Sequence, residues 1–409
     1  MPVTLMELLQ PQLILDLVSR VRPGQGALGK WLGFQPNSFD AENVTLSGPA
    51  TISGGALGPI RNVTYRVFNS TRTVPTARAP GTGPNTMTPN PVGAVQVTCP
   101  RFHDKIPLNY EFLGNLSPMT GPNSNIDSMG QDYIRQQTIY LATKYGKGVE
   151  MMAAGMMRDS LYFIQSGSTY RLSFTAPAAG EFGFQVNFQI PSTNKSQFAQ
   201  AMGTDSTAGA IIDVSWDDPG APILTHLMKI KAAFAQLHGY PLTDIWINST
   251  MWMNVIQNTQ VRNTGGSSNT VFAEYTMEPE TGLSGGIPAK YAMVLRADPT
   301  VKWHINDDIL SLGSDIDISY ASVSTGSAAK LIPDTMAIFC TTPSTDVAKM
   351  YLGGEPVVEN PGMPAIMRTG YYFWHEYTTQ PSAIELIALM NAVPCLYIPT
   401  AFAPGTVVY

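Results

Sequence analysis

Residues 61–105 read RNVTYRVFNSTRTVPTARAPGTGPNTMTPNPVGAVQVTCPRFHDK. Val63–Thr76 and Val92–Pro107 both carry the alternation of extended chain, as in Tyr65 and Val67 or Val95 and Val97. Between them, Ala79–Pro91 holds four prolines and two glycines, which excludes helix and central strand. The stretch therefore predicts a hairpin whose arms, each about 15 residues, reach roughly 50 Å. It carries Arg61, Arg66, Arg72, Arg78, Arg101 and Lys105 against Asp104 alone. A hairpin this long and polar has little core of its own, so it is expected to lie on another chain.

Downstream, Ile126–Asp159 has no proline and repeats apolar residues at Tyr133, Ile134, Tyr140, Leu141, Tyr145, Val149, Met152 and Met156. That spacing predicts a helix of some nine turns, about 50 Å long, with Gly146, Gly148 and Gly155 as places to bend. Tyr170–Phe174 and Phe182–Ile190 alternate as half-buried strands and are expected to pair with each other. Trp216-Asp217-Asp218-Pro219 reads as a helix start, with Gly239 just past the end and Ile223, Leu227, Ile230 and Phe234 on one stripe. A strand at Asp244–Ile247 and a helix from Asn248 through Asn258 follow. Residues 260–300 read as loop, and 301–345 and 366–400 as β. Upstream, Thr4 and Glu7 fit a capping box and Pro11 can open a second helical piece, before a Gly/Pro/Asn-rich run from Pro23 to Pro59. The fold class is α+β with long excursions.

Composition narrows the function. The 409 residues suffice for a large core, yet only 13% are charged, against about 25% in a typical soluble domain. So little charge leaves much surface to be covered by something else. The net charge is −6, which excludes a globally basic nucleic-acid binder. Residues 1–110 carry nine basic and five acidic side chains, so the deficit falls on 111–409. Cys99, Cys340 and Cys395 are too few and too scattered for a disulfide framework or a zinc site, and buried thiols are expected. Six N-x-Ser/Thr sequons carry no weight without a secretory signal, and Glu7 and Asp16 interrupt the N-terminal apolar stretch. No apolar run reaches the 18 residues of a spanning helix.

Motifs point to no catalysis. Gly24–Gly29 fits G-x-G-x-x-G, but a dinucleotide site needs a preceding strand, and here helix and Pro23 precede it; a loop is expected. Gly282-Leu283-Ser284-Gly285-Gly286 fits G-x-S-x-G without the strand and helix of a nucleophile elbow. His103, His226, His238, His304 and His375 stand at no metal-ligand spacing. Asp307-Asp308 and Asp315-x-Asp317 lack the glycine and glutamate of a calcium loop. No catalytic residue, cofactor or metal is expected.

The order of parts is the strongest signal: an N-terminal arm, a basic hairpin with a Pro/Gly tip, a long helix, strands, a compact α/β section and returning strands. Together with Ile164-Gln165-Ser166-Gly167, Val186–Pro191, Trp216–Pro219, Leu331–Met336 and the tail Tyr371–Val408, it resembles the Hong Kong 97-type major capsid proteins of tailed phages, in particular the lambda-like major capsid protein E family. The resemblance implies an N-arm at 1–60 and an extended E-loop at 61–105. It further implies a P-domain at 106–220 with its spine helix at 126–158, an A-domain at 221–365, and C-terminal strands 366–409 returning to the P-domain. It implies homo-pentamers and homo-hexamers in an icosahedral virion head, assembled in the host cytoplasm around double-stranded DNA without sequence-specific binding or a membrane. A portal, a separate scaffolding protein and in some cases a decoration protein are the implied partners. Arg61, Arg66, Arg72, Arg78 and Arg101 are the expected inter-subunit contacts, complementary to the acidic remainder. Some members of that family join subunits through a lysine–asparagine bond from the E-loop; no lysine lies between Lys30 and Lys105, so a non-crosslinked shell is expected. Two alternatives stay open: an encapsulin-type compartment enclosing cargo enzymes, and a serine hydrolase using Ser284.

Overall fold

The structure, a computed structural model, describes residues 27–34, 44–47, 62–68, 92–109, 128–166, 169–196, 211–264, 272–277, 290–295, 297–311, 328–341, 347–357, 366–369, 371–379 and 382–408. The chain divides into two compact units, one built from 1–65, 96–153 and 349–395, the other from 66–95, 154–348 and 396–409.

The long helix, α2 (Ser128–Met157), is continuous for 30 residues, following a five-residue helix α1 (Ala27–Trp31). Its apolar stripe is buried at Ile134, Leu141, Ala142, Tyr145, Val149, Met152 and Met156, the i, i+3/i+4 spacing of one helix face. None of the three glycines breaks it, and one of them serves packing instead of bending. A Cβ on Gly155 would sit 2.9 Å from Leu161 Cβ, so the bare glycine lets the following strand approach. A Cβ on Gly148 would meet nothing within 4 Å. Gly148→Ala is therefore expected to stabilise the protein by about 0.5–1 kcal/mol through helix propensity. Gly155→Ala is expected to destabilise it by about 1–3 kcal/mol through overpacking. Urea unfolding of the two variants checks the opposite signs.

In the first unit, β19 (Ser382–Leu396) is the axis of a sheet. It pairs antiparallel with β18 (Tyr371–Thr379) and with β4 (Arg101–Asn109), and neighbours β15 (Ala348–Leu352). This corrects the single second arm expected at Val92–Pro107. The arm is two strands, β3 (Val92–Thr98) and β4, parted at Cys99-Pro100, where proline offers no ladder N–H. Only β3 neighbours β2 (Asn62–Phe68), in a sheet ordered β1-β2-β3 with β1 at Val44–Ser47. Tyr145 ties α2 to the sheet: its hydroxyl donates to the Ala388 carbonyl at 2.8 Å and accepts the Asp104 N–H at 3.1 Å. Tyr372, Trp374, Ile387 and Leu389 form a second cluster on this sheet, with His103 stacked on Trp374.

The second unit holds a six-stranded sheet of β8 (Asp244–Ile247), β9 (Phe272–Met277), β10 (Lys290–Leu295), β11 (Asp298–Asn306), β14 (Met336–Cys340) and β20 (Phe402–Thr406). Its order is β20-β14-β8-β11-β10-β9, with β8 and β11 parallel and the other pairs antiparallel. The strands β9 and β10, with a helix at Thr259–Thr264, correct the loop expected over 260–300: their alternation was hidden among Gly and Ser. The last strand, β20, joins this sheet rather than following β18 and β19. Trp216, Trp252, Trp303 and Phe339 pack at its centre.

The helix expected from Trp216 starts later, at Ile223 (Ile223–Ala233), because Asp218 turns back to accept the Gly220 N–H and Pro222 follows. It closes through a π turn onto Gly239, whose φ of 75° suits a residue without a side chain. The helix Ser249–Gln257 is bounded by Asn248 and Asn258 as expected, the Asn248 side chain accepting the Met251 N–H at 2.8 Å. The pair of strands expected at 170–190 is rearranged. β6 (Thr169–Ser173) and β7 (Gly183–Val186) each pair with β5 (Leu161–Ser166), which lies between them. Asp159, at φ 51°, makes the tight turn from α2 into β5.

Candidate assembly surface

Two groups of residues bear on the contact surface expected from the sequence: the base of the basic hairpin and the segment preceding it. At the hairpin base, alternation sorts the side chains. Val63, Tyr65 and Val67 on β2 and Val95 and Val97 on β3 are buried, while Arg66, Gly93, Ala94, Gln96 and Thr98 are exposed. The expectation that the hairpin lacks core is thus corrected for its base, whose inner face is covered within the same chain. The Phe68 N–H also donates to the Tyr397 carbonyl at 2.8 Å.

Arg66 and Arg101 present exposed side chains on β2 and β4. Arg61, Arg72 and Arg78 lie outside the described residues, as do the tip 79–91 and Ser284. Lys105 is engaged inside the chain, 2.8 Å from Glu385 of β19, and Asp104 lies 3.4 Å from Lys144. Of the charges counted on the hairpin, these two serve the fold at least as much as a neighbour.

Ahead of the hairpin, Gly24–Gly29 was expected to be a loop, but Ala27–Trp31 is helical and its first residues are buried. The Leu28 and Gly29 N–H groups donate to the Glu150 carboxylate at 3.0 and 2.9 Å. Glu150 is 1% exposed. The backbone amides that a glycine-rich turn offers to an anion are thus taken by a carboxylate of the chain's own long helix.

Large apolar side chains stand exposed at Phe182, Met228, Tyr140, Met253 and Ile309. Phe182 was expected to face inward with Phe184; it precedes β7 and is 78% exposed, while Phe184 stacks on Phe163. Sequence alternation alone marked it as core, and only the shortness of β7 explains why it is not.

The histidines act structurally where they are described. Trp216 Nε1–H donates to His226 Nδ1 at 3.2 Å, so the imidazole carries its proton on Nε2 and donates it to Asp213 at 2.6 Å. Protonating Nδ1 would set two N–H groups against each other. Burial holds the His226 pKa below 6.5 against the pull of Asp213, and the bond from His226 holds Asp213 below 3.8. Both groups bind protons more weakly folded than unfolded. Their stabilisation is therefore complete above about pH 6.5 and falls as pH drops, first through His226 and then, below about 3.8, through Asp213. Thermal melts between pH 8 and 5 are expected to show midpoints falling below about pH 6.5; a flat profile would refute this. Among the described residues, no three His, Cys, Asp or Glu side chains gather as a metal set, and no helix is long and apolar enough to cross a membrane.

No protein-family model matches the sequence. No curated protein sequence matches it. Solved structures, however, align with it. A prophage protein of E. coli CFT073, described as a capsid protein, aligns over 98% of this chain and 99% of its own, with a TM-score of 0.50 at 11% identity. The satellite phage P4 procapsid with its size determination (Sid) protein aligns over 98% and 92%, with a TM-score of 0.43 at 10% identity. The mature capsid of bacteriophage PhiM1 aligns over 85% and 82%, with a TM-score of 0.40 at 8% identity. At such identity the likeness concerns fold, and the prophage protein carries it: this chain has the fold of a phage capsid protein, with helix and sheet mixed among the described residues.

Proposed function

We propose that this chain is the major structural protein of a bacteriophage head, assembling as pentamers and hexamers into an icosahedral shell around double-stranded DNA. The observation that carries the reading is the end-to-end agreement with the prophage capsid protein, which leaves almost no part of either chain unmatched. The long helix after a basic hairpin, and the separate sheet built around β8, favour the Hong Kong 97-type division. In that division 1–60 is the N-arm, 61–105 the E-loop, 106–220 the P-domain, 221–365 the A-domain and 366–409 the returning tail. A portal and a separate scaffold are its partners, as is a decoration protein in some members of the family, and the head is built in the host cytoplasm.

Arg66 and Arg101 are the contacts for a neighbour's acidic surface, since both are exposed and the rest of the chain is acidic. The test is to purify particles from cells expressing the wild type and the Arg66→Glu/Arg101→Glu double variant. Particle yield is expected to collapse in the variant while its circular dichroism stays unchanged; equal yields would remove these arginines from the interface. Particles from phage-producing cells should hold nuclease-protected double-stranded DNA. Particles holding protein cargo and no DNA would instead identify an encapsulin-type compartment.

A further inference from the structure

The sheet that follows α2 is ordered β6-β5-β7, so β6 and β7 are its two edges among the described residues. An edge strand offers unpaired backbone groups to another strand, and charges or prolines on it discourage such pairing. β6 carries Arg171, whereas residues 182–190, which include β7, hold no charge and no proline.

The outer side of β7 follows from its bonded side. The Gln165 N–H donates to the Phe182 carbonyl at 2.7 Å, and in the same register Phe163 stands opposite Phe184 and Leu161 opposite Val186. Backbone groups alternate in direction along an antiparallel strand, so those of Phe182, Phe184 and Val186 turn to β5 and those of Gly183 and Gln185 turn outward. Gly183 and Gln185 are exposed, as is Asn187 just beyond the strand.

The exposed Phe182 stands at the start of this edge on a fixed backbone. The Glu181 N–H donates to the Ala178 carbonyl at 2.9 Å, and the Ala178 N–H to the Glu181 carboxylate at 3.0 Å. The turn before Phe182 is thus closed on itself, and the Phe182 carbonyl after it is tied to β5. An aromatic ring held out in this way is the kind of side chain that anchors protein interfaces.

We propose that β7 pairs antiparallel with the β7 of a second copy of this chain, about a two-fold axis centred on Gln185, so that the two sheets become one. A two-fold sets each residue near the axis against itself or a near neighbour in the other copy, so a charge on the strand would meet its like. The neutral run 182–190 escapes that penalty, which is what commits this edge to its own copy. Centring on Gln185 sets the outward groups of Gly183 against those at Asn187 of the second copy, on both sides of the axis. It also brings the two Gln185 side chains together, and each amide both donates and accepts. Each Phe182 then lies over the end of the other copy's strand. The inference rests on the shell reading and deepens it: an icosahedral shell has two-fold axes between its rings of subunits, and β7 is the contact there.

The test uses the full-length protein. Antiparallel hydrogen-bonded pairs hold their Cα atoms about 5.5 Å apart, within the span of a disulfide, so Gln185→Cys places two thiols in reach of each other across the axis. The three native cysteines are buried. Wild type, Gln185→Cys and Thr175→Cys, the last exposed in the loop between β6 and β7, are oxidised with copper phenanthroline and run on a non-reducing gel. Most Gln185→Cys chains are expected to move to a reductant-sensitive dimer joined at residue 185, while the other two proteins stay monomeric on the gel. Phe182→Asp, with unchanged circular dichroism, is expected to give separate rings in electron micrographs where the wild type gives closed shells. Wild-type shells combined with a Gln185→Cys that dimerises no more than Thr175→Cys would overturn the two-fold pairing and leave the shell reading standing. Closed shells from Phe182→Asp would overturn the pairing as well. A wild type that gives neither shells nor rings would end the shell reading, and the gel would then decide the pairing alone: a dimer at residue 185 upholds it and monomers overturn it.

Discussion

Glu150→Ala is expected to free Ala27–Phe34 from the long helix and to lower unfolding stability by about 3 kcal/mol. The Leu28 and Gly29 amides are buried at the start of α1 and donate to this one carboxylate. Hydrogen bonds to a charged acceptor are worth more than neutral ones, and amides left buried without a partner bear the desolvation cost. Glu150→Gln keeps an acceptor oxygen but no charge, and should lose about half as much. Trypsin reads the release directly, since Lys30 is exposed within the anchored segment. Cleavage there should quicken more than about tenfold in Glu150→Ala, as a loss of 1.4 kcal/mol already changes an opening equilibrium tenfold. Unchanged cleavage would mean that the carboxylate does not hold the segment.

Trp303→Ala is expected to cost about 3–5 kcal/mol and to collapse the cooperativity of the second unit. The indole is fully buried on β11, with its ring centre 5.8 Å from that of Trp252 and 6.2 Å from that of Trp216. Truncation removes the shared wall of this aromatic cluster and leaves a cavity lined by large rings that cannot collapse into it. The Trp303 Nε1–H has no hydrogen-bond partner among the described residues. Trp303→Phe discards that costly donor and keeps most of the ring, so it should cost far less than the alanine. Equal losses in the two variants, measured by denaturant unfolding, would contradict the packing argument.

Local signals were legible where a whole element wrote its own period. The 30 residues of α2 repeat every three to four positions without proline, and Asn248 and Asn258 bracket their helix as caps do. What stayed hidden was partnership across sequence distance. Val92–Pro107 looks like one extended arm, and nothing local says that its second half pairs with a strand some 280 residues on, with Lys105 opposite Ile387. Likewise the pairing of β6 and β7 through β5, rather than with each other, does not show in their hydrophobic alternation.

The anchor at Glu150 left a faint trace: a lone acid inside the buried run Val149–Ala154, and a glycine-rich sequence at 24–29. Each was visible alone, but only the fold brings them together. Part of the apolar surface implied by the low charge content is covered at home, by the inner face of the hairpin base and by Ala27–Gly29 on their own chain. Arg66 on β2, Arg101 on β4, Phe182 and Met228 remain exposed on this chain.

Electron microscopy of the purified, negatively stained protein tests the shell reading most directly. Closed shells, tubes or ring-shaped capsomers are expected at assembly concentrations. A field of discrete particles the size of one chain, persisting as the concentration is raised, would contradict it.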